Sequence, residues 1–187
     1  MVTWQEGANC FIDALADKSS VPGGGSAAAL NGAMSAALML MAVGVTIKRK
    51  ATPQADKDFL MPYISKVEDY KNEFKKLTAE DAAAYLEVIN LKKQNANPAE
   101  LAKAQIKAAE IPLITAQKAV ELLKIIDTIK DKIALIIVSD MLCAKVLLFA
   151  CLQCCAENIK ANLPYVTDEN LEQKLNKELD RIIQLCR

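Results

Sequence analysis

A chain of 187 residues is long enough to bury a sizeable core, and 52% hydrophobic content beside 25% charge reads as one soluble, globular domain over residues 1–187. Lysine plus arginine equals aspartate plus glutamate at 23 each, so no basic field recruits nucleic acid and no such partner is expected. Histidine is absent, which removes the usual proton shuttle and the commonest metal ligand; acid/base chemistry falls to Asp, Glu, Lys, Tyr or Cys, and no metal site is expected.

Taken in chain order, residues 4–17 have the periodicity of a short amphipathic helix, and DKSSVPGGG after them is a loop by composition. Ser26 to Ile47 is expected to form a strongly apolar helix rich in Ala and Met. Thr52-Pro53 opens a long helix to about Asn95, closed by the turn-like NANP at 95–98. A fourth helix is expected from Pro98 to about Ile126, bent or interrupted at Pro112. The fifth spans roughly 130–162 and stops before Pro164, and Thr167-Asp168-Glu169 starts a sixth. With no convincing strand alternation, the expected fold is all-α, an antiparallel bundle of about six helices with long central members.

Residues 26–47 and 133–152 are apolar enough to span a bilayer, but Asn31 and Ser35 in the first and Asp140 and Lys145 in the second are costly in lipid, so no membrane partner is expected. The N-terminus MVTWQEGANCFIDAL lacks the pattern of a secretory signal, which points to the cytoplasm and to reduced thiols. Cys151, Cys154 and Cys155 fall at i, i+3, i+4 of a helix, where they read as small buried hydrophobes.

Three consecutive glycines, Gly23, Gly24 and Gly25, precede Ser26 at the start of the second helix. A dinucleotide loop would need a strand before it and an acid about twenty residues later, and neither is present. A Walker loop would need Gly-Lys-Ser/Thr. What remains is a backbone that a ligand can approach closely, beside helix N–H groups that favour anions or polar acceptors; the bland alternative is a flexible N-cap loop ending at Ser26.

The segment PGGGSAAAL-GA-SAAL at 22–38 resembles the signature of the cyclodeaminase/cyclohydrolase family, which includes the C-terminal domain of formiminotransferase-cyclodeaminase and stand-alone methenyltetrahydrofolate cyclohydrolases. Further resemblances follow in order: TIKRK at 46–50, EDAAAY at 80–85, IPL at 111–113, SD at 139–140 and NIKANL at 158–163. The resemblance implies an all-helical homodimer acting on one-carbon tetrahydrofolates, with no cofactor beyond that substrate. The chain departs from the family pattern where Lys48 follows Ile47 without an intervening glycine, and where IALIIV stands before Ser139 in place of a Gly-Asn-Pro-Asn-like turn.

Both family reactions pass through one amidinium-like carbon between two folate nitrogens, and each needs proton transfer beside positive charge, a task suited to a carboxylate. Heptad reading of the third helix puts Val67, Phe74, Asp81 and Val88 in one row, so Asp81 interrupts an apolar stripe. A carboxylate there is either held by an ion pair or a cap bond inside the bundle, or is a working group. The family places its catalytic aspartate in the same Asp-Ala-x-Ala-aromatic setting, which makes Asp81 the expected general acid/base.

Tyr85, one turn on, is placed either to contact substrate or to fill the core. Asn158 and Asn162, also one turn apart, either read a pterin edge or cap a helix end. Lys48, Arg49 and Lys50 either clamp a folate's glutamate tail or form a solvated helix end. Asp140 lies eighteen residues before Asn158, roughly 27 Å along a helix, and is expected to be structural or at a dimer interface. Ring-closing formimidoyltetrahydrofolate cyclodeaminase and ring-opening methenyltetrahydrofolate cyclohydrolase both fit. The alternative of another class is a non-catalytic helical dimer that binds a small molecule or a protein partner.

Overall fold

The computed structural model describes residues 2–186, which form six α-helices: α1 (Trp4–Ala16), α2 (Gly24–Lys48), α3 (Gln54–Lys93), α4 (Pro98–Ile129), α5 (Val138–Asn162) and α6 (Glu169–Leu185). Short 3-10 turns occupy Lys130–Lys132, Leu135–Ile137 and Leu163–Tyr165, and no strand occurs among the described residues. The all-α expectation holds.

Three of the six helix starts follow from a local side-chain cap. Thr3 and Glu6 form a reciprocal capping box at α1, Asn97 caps α4 ahead of Pro98, and the Asp168 carboxylate accepts the Leu171 N–H at 2.8 Å to begin α6. α2, α3 and α5 begin without a side-chain cap, α2 at Gly23.

Two expectations need correction. Pro112 does not interrupt α4, which continues to Ile129 with Ile111, Pro112 and Leu113 all buried; packing of the whole turn outweighs the one backbone donor that proline lacks. The fifth helix begins at Val138 rather than near Lys130. Ile133 and Ala134 are extended there, and the Ala134 N–H is spent on the Thr46 hydroxyl at 3.1 Å, a contact 88 residues away in sequence.

α2, α3, α4 and α5 stand in a ring in which each packs on the next, with α2 also reaching α4 across the middle, while α6 covers the flank of α4 and α5. The abundance of alanine in α2 is what allows this, since Ala28, Ala29, Ala33 and Ala36 are buried and let three neighbours approach closely. At Gly32 a Cβ would collide with the ring of Phe74, so α2 and α3 meet there nearly backbone to ring. Ser35 Oγ donates to the Ala144 carbonyl at 2.8 Å, which pairs a buried hydroxyl and ties α2 to α5.

The cysteine row of α5 turns inward, with Cys151 and Cys155 fully buried as small apolar groups. The outer faces of α2 and α5 remain apolar and exposed at Met34, Met41, Leu142 and Val146. α1 buries none of its residues and lies beside α2, leaving an apolar groove between them.

Candidate active site

The mouth of the helix ring, at the N-terminal end of α2, is a cleft of about 280 Å³ to which all four ring helices contribute. α2 and its preceding loop supply Gly23, Gly24 and Gly25, α3 supplies Asp81 and Tyr85, α4 supplies Ala108, and α5 supplies Asn158 and Asn162. Antiparallel packing of α2 on α3 sets Ser26 opposite Asp81, and Ser26 Oγ donates to Asp81 Oδ2 at 2.9 Å.

Asp81 therefore stands against the first turn of α2, where its carboxylate accepts the Ser26 hydroxyl and feels the Ser26 backbone amide. Placed at the positive end of the helix dipole, the carboxylate acts as a cap delivered from another helix. Gly25 makes this possible, because a Cβ at that position would overlap the Asp81 carboxyl group. The room left by Gly25 is thus taken by Asp81. At Gly24 a Cβ would lie 3.4 Å from Asn158 Nδ2, a tight but lesser constraint, and Gly23 has only the Ser20 carbonyl at 3.7 Å.

Burial raises the carboxyl pKa of Asp81 above the usual aspartate range, and the hydroxyl and backbone amide of Ser26 pull it partly back. No lysine or arginine contributes, and among the described residues Asp81 has no ion-pair partner. Of the two structural readings of this carboxylate, the ion pair finds no support, whereas a bond to the start of α2 is present through the Ser26 hydroxyl. Cys155 is close enough for the two groups to feel each other's charge, and its thiol is pushed well up, first by the Cys151 contact and then by burial. A dry, uncharged wall on one side and an open cleft on the other suit a carboxylate that exchanges a proton.

Asn158 Nδ2 donates to the Cys154 carbonyl at 2.8 Å, one turn back on its own helix, and its amide oxygen has no bonded partner among the described residues. Asn162 Nδ2 reaches the Ala108 carbonyl at 3.4 Å and bridges α5 to α4. Neither asparagine caps the end of α5. Tyr85 lines the cleft with 44% of its surface exposed, which places it at the rim rather than in the core. Ser20, Val21 and Ala161 complete the lining; nothing in their own residue types marks them, since an irregular loop and helix packing bring them there.

Lys48, Arg49 and Lys50 do not join this cleft within the chain. They sit exposed at the opposite end of α2, roughly 33 Å of helix away from Ser26. Asp140, half-buried in the first turn of α5, is likewise separated from Asn158 by nearly the whole length of that helix.

Comparison with known proteins agrees with this architecture. The crystal structure of formiminotetrahydrofolate cyclodeaminase from Thermotoga maritima superposes with a TM-score of 0.85 at 23% identity, covering 99% of this chain and 90% of that one, a likeness of fold. A methenyltetrahydrofolate cyclohydrolase of Methylorubrum extorquens is 28% identical over 181 residues, which are 92% of this chain and 86% of the relative. The family profile described as formiminotransferase-cyclodeaminase matches residues 8–181, and the chain belongs to that family.

Proposed function

We propose that the protein is a folate enzyme working on the amidine carbon between two tetrahydrofolate nitrogens, and that it is a methenyltetrahydrofolate cyclohydrolase with Asp81 as general acid/base. The observation that carries this reading is the Asp81 carboxylate itself: partly buried, free of any cationic partner, raised in pKa and open to the cleft. The similarity to the Methylorubrum cyclohydrolase, spread over nearly the whole chain, supports water rather than an amine as the group transferred.

In the forward reaction water adds to the electrophilic methenyl carbon while Asp81 accepts a water proton, and the ring cation becomes a neutral carbinolamine. The same proton then passes from Asp81 to the departing ring nitrogen as the C–N bond breaks. The carbinol oxygen loses its own proton to solvent water as it becomes the formyl carbonyl, so one proton is released per turnover. Asp81 ends as it began, so one carboxylate serves both steps. An ionised Asp81 also offsets the charge of the amidinium before attack.

Cyclodeamination uses the same carbon with ammonia as leaving group, and the fold shared with the Thermotoga cyclodeaminase keeps it as the second reading. A homodimer is part of the proposal. Absorbance of methenyltetrahydrofolate tests the choice. Its accelerated loss with protein present is expected, whereas appearance of that absorbance from the formimino compound, without the first activity, assigns the cyclodeaminase. No change in either assay sinks both.

A further inference from the structure

Contacts between α3 and α4 (Lys118 with Glu73, Lys107 with Glu87) and between α4 and α5 (Lys145 with Asp127, Asn162 with Ala108) make each pair antiparallel. α3 and α5 therefore run parallel and end on the same side of the bundle, the side of the Asp81 cleft. α3 continues past Asp81 for about three turns to Lys93, and α5 passes through Asn162 into the 3-10 turn Leu163–Tyr165. The two extensions meet at the outer lip of the cleft, where the Lys92 ammonium lies 4.9 Å from the centroid of the Tyr165 ring.

A lysine in the last turn of a helix is ordinarily there for the dipole, and Lys93 serves that purpose as well as Lys92. Position separates them. Asp81, Tyr85, Val88 and Lys92 stand at i, i+4, i+7 and i+11, one stripe of α3 that faces the helix ring: Asp81 and Tyr85 line the cleft and Val88 is buried. Lys93 is turned about 100° away from that stripe. Lys92 pairs with no carboxylate among the described residues, while Glu87 on the neighbouring face is already held by Lys107 at 3.0 Å. An aromatic face attracts a cation without cancelling its charge, so Lys92 is held in place and still able to take an anion.

The stripe thus presents a carboxylate in the cleft, the Tyr85 ring at the rim and a cation at the lip. Along the axis Lys92 is roughly 16 Å from Asp81, and its four-carbon stem, leaning toward the helix N-terminus, recovers part of that distance. A folate has complementary groups in the same order: the amidine cation, the benzoyl ring, and glutamate carboxylates that begin roughly 10–12 Å from the amidine carbon by ordinary bond lengths. The cleft, at about 280 Å³, is too small to enclose a ligand of that size, so the part beyond the ring has to lie outside it.

We infer that Lys92, held on the Tyr165 ring, is the receptor for the anionic tail of the substrate, which lies along α3 with its aromatic ring against Tyr85. The inference rests on the folate reading above. It gives to Lys92 the role that Lys48, Arg49 and Lys50, at the far end of α2, cannot fill for the cleft of their own chain.

The test crosses a variant with a modified substrate. Lys92 is exposed, so Lys92→Met is expected to melt like the wild type. With methenyltetrahydrofolate its KM should rise about tenfold while kcat stays within about twofold, because a charge-assisted contact remote from the reacting carbon holds ground state and transition state alike. When both glutamate carboxylates of the substrate are replaced by amides, the wild type should lose a similar factor and Lys92→Met nothing further, since the two changes remove one interaction. Lys92→Arg should recover most of the loss. Tyr165→Leu should cost about threefold with the acid substrate, and Tyr165→Phe, which keeps the ring face, almost nothing.

Losses that multiply independently overturn the inference, as does a Lys92→Met protein that handles the acid substrate like the wild type. So does tail sensitivity that disappears in Lys48→Ser/Arg49→Ser/Lys50→Ser but persists in Lys92→Met. In each of these cases the wild type is active and the folate reading stands. A wild type that neither turns over nor binds methenyltetrahydrofolate sinks the folate reading itself, and this inference with it.

Discussion

The two ends of α2 face different problems. At its first turn the helix lacks a side-chain cap of its own, is surrounded by α3 and α5, and takes its acceptor from Asp81. At its last turn three cations stand exposed, with no ion-pair partner among the described residues. The first end is specified within the chain, down to the absence of a Cβ at Gly25. The second is closed within the chain by the Thr52 hydroxyl on the Thr46 carbonyl at 2.7 Å, while its cations meet only the helix dipole and solvent.

The sharpest way to break the first end is Gly25→Ala. The new methyl would occupy the space of the Asp81 carboxyl group, so the carboxylate must leave its place and the first turn of α2 loses its acceptor. A drop in kcat/KM by about 10² or more is expected, since general acid/base catalysis is worth 10²–10⁴ and depends on position. A variant with normal turnover would show that Asp81 does not need the place it holds.

Gly32→Ala comes next and separates packing from chemistry. A methyl there pushes on the fully buried Phe74 ring, about two helical turns from the cleft, and a loss of roughly 1–3 kcal/mol is expected in chemical denaturation. Activity measured well below the melting temperature should be retained. Undiminished stability would mean that α2 and α3 are not in close contact at this point.

Ser26→Ala is a smaller change at the site. It removes a hydrogen bond of roughly 0.5–1.5 kcal/mol and with it one of the two influences that lower the Asp81 pKa. The carboxyl then holds its proton to higher pH, so the acidic limb of the rate profile should move up while the shape of the profile persists. Ser26→Thr, which keeps the hydroxyl, should move it back. A profile that shifts downward, or not at all, contradicts the role of Ser26 in setting that proton.

These outcomes bear on what the residues themselves reveal. Helices and most of their ends were legible because periodicity, capping residues and proline act locally; NANP and Thr167-Asp168-Glu169 mark their positions without help from the rest of the chain. Asp81 was legible as a break in an apolar row. Its partner was not, since Ser26 lies 55 residues away and reads in isolation as an ordinary N-cap. The start of α5 was hidden for the same reason, because the Thr46 hydroxyl that diverts Ala134 belongs to α2. The basic run was visible as charge, and the expected helix from Ser26 to Ile47 already set it roughly 33 Å from the glycine loop; what the sequence could not show is which other residues gather at that loop.

Asp81→Asn tests the central claim most directly when its kinetics and melting are measured together. A loss of about 10²–10⁴ in kcat with little change in KM is expected. Because burial raises the folded pKa of Asp81, the native state binds its proton more tightly than the unfolded chain. That contribution is present at low pH and lost as pH rises from the unfolded value of about 3.9 through the folded one. The ionised carboxylate therefore weakens the fold at neutral pH, and the asparagine variant should melt at or above the wild type at pH 7, with the gap closing toward acid. Lost turnover with an undiminished melt is the predicted result; near-normal turnover with a depressed melting temperature would show that Asp81 is a structural cap and contradict the catalytic account.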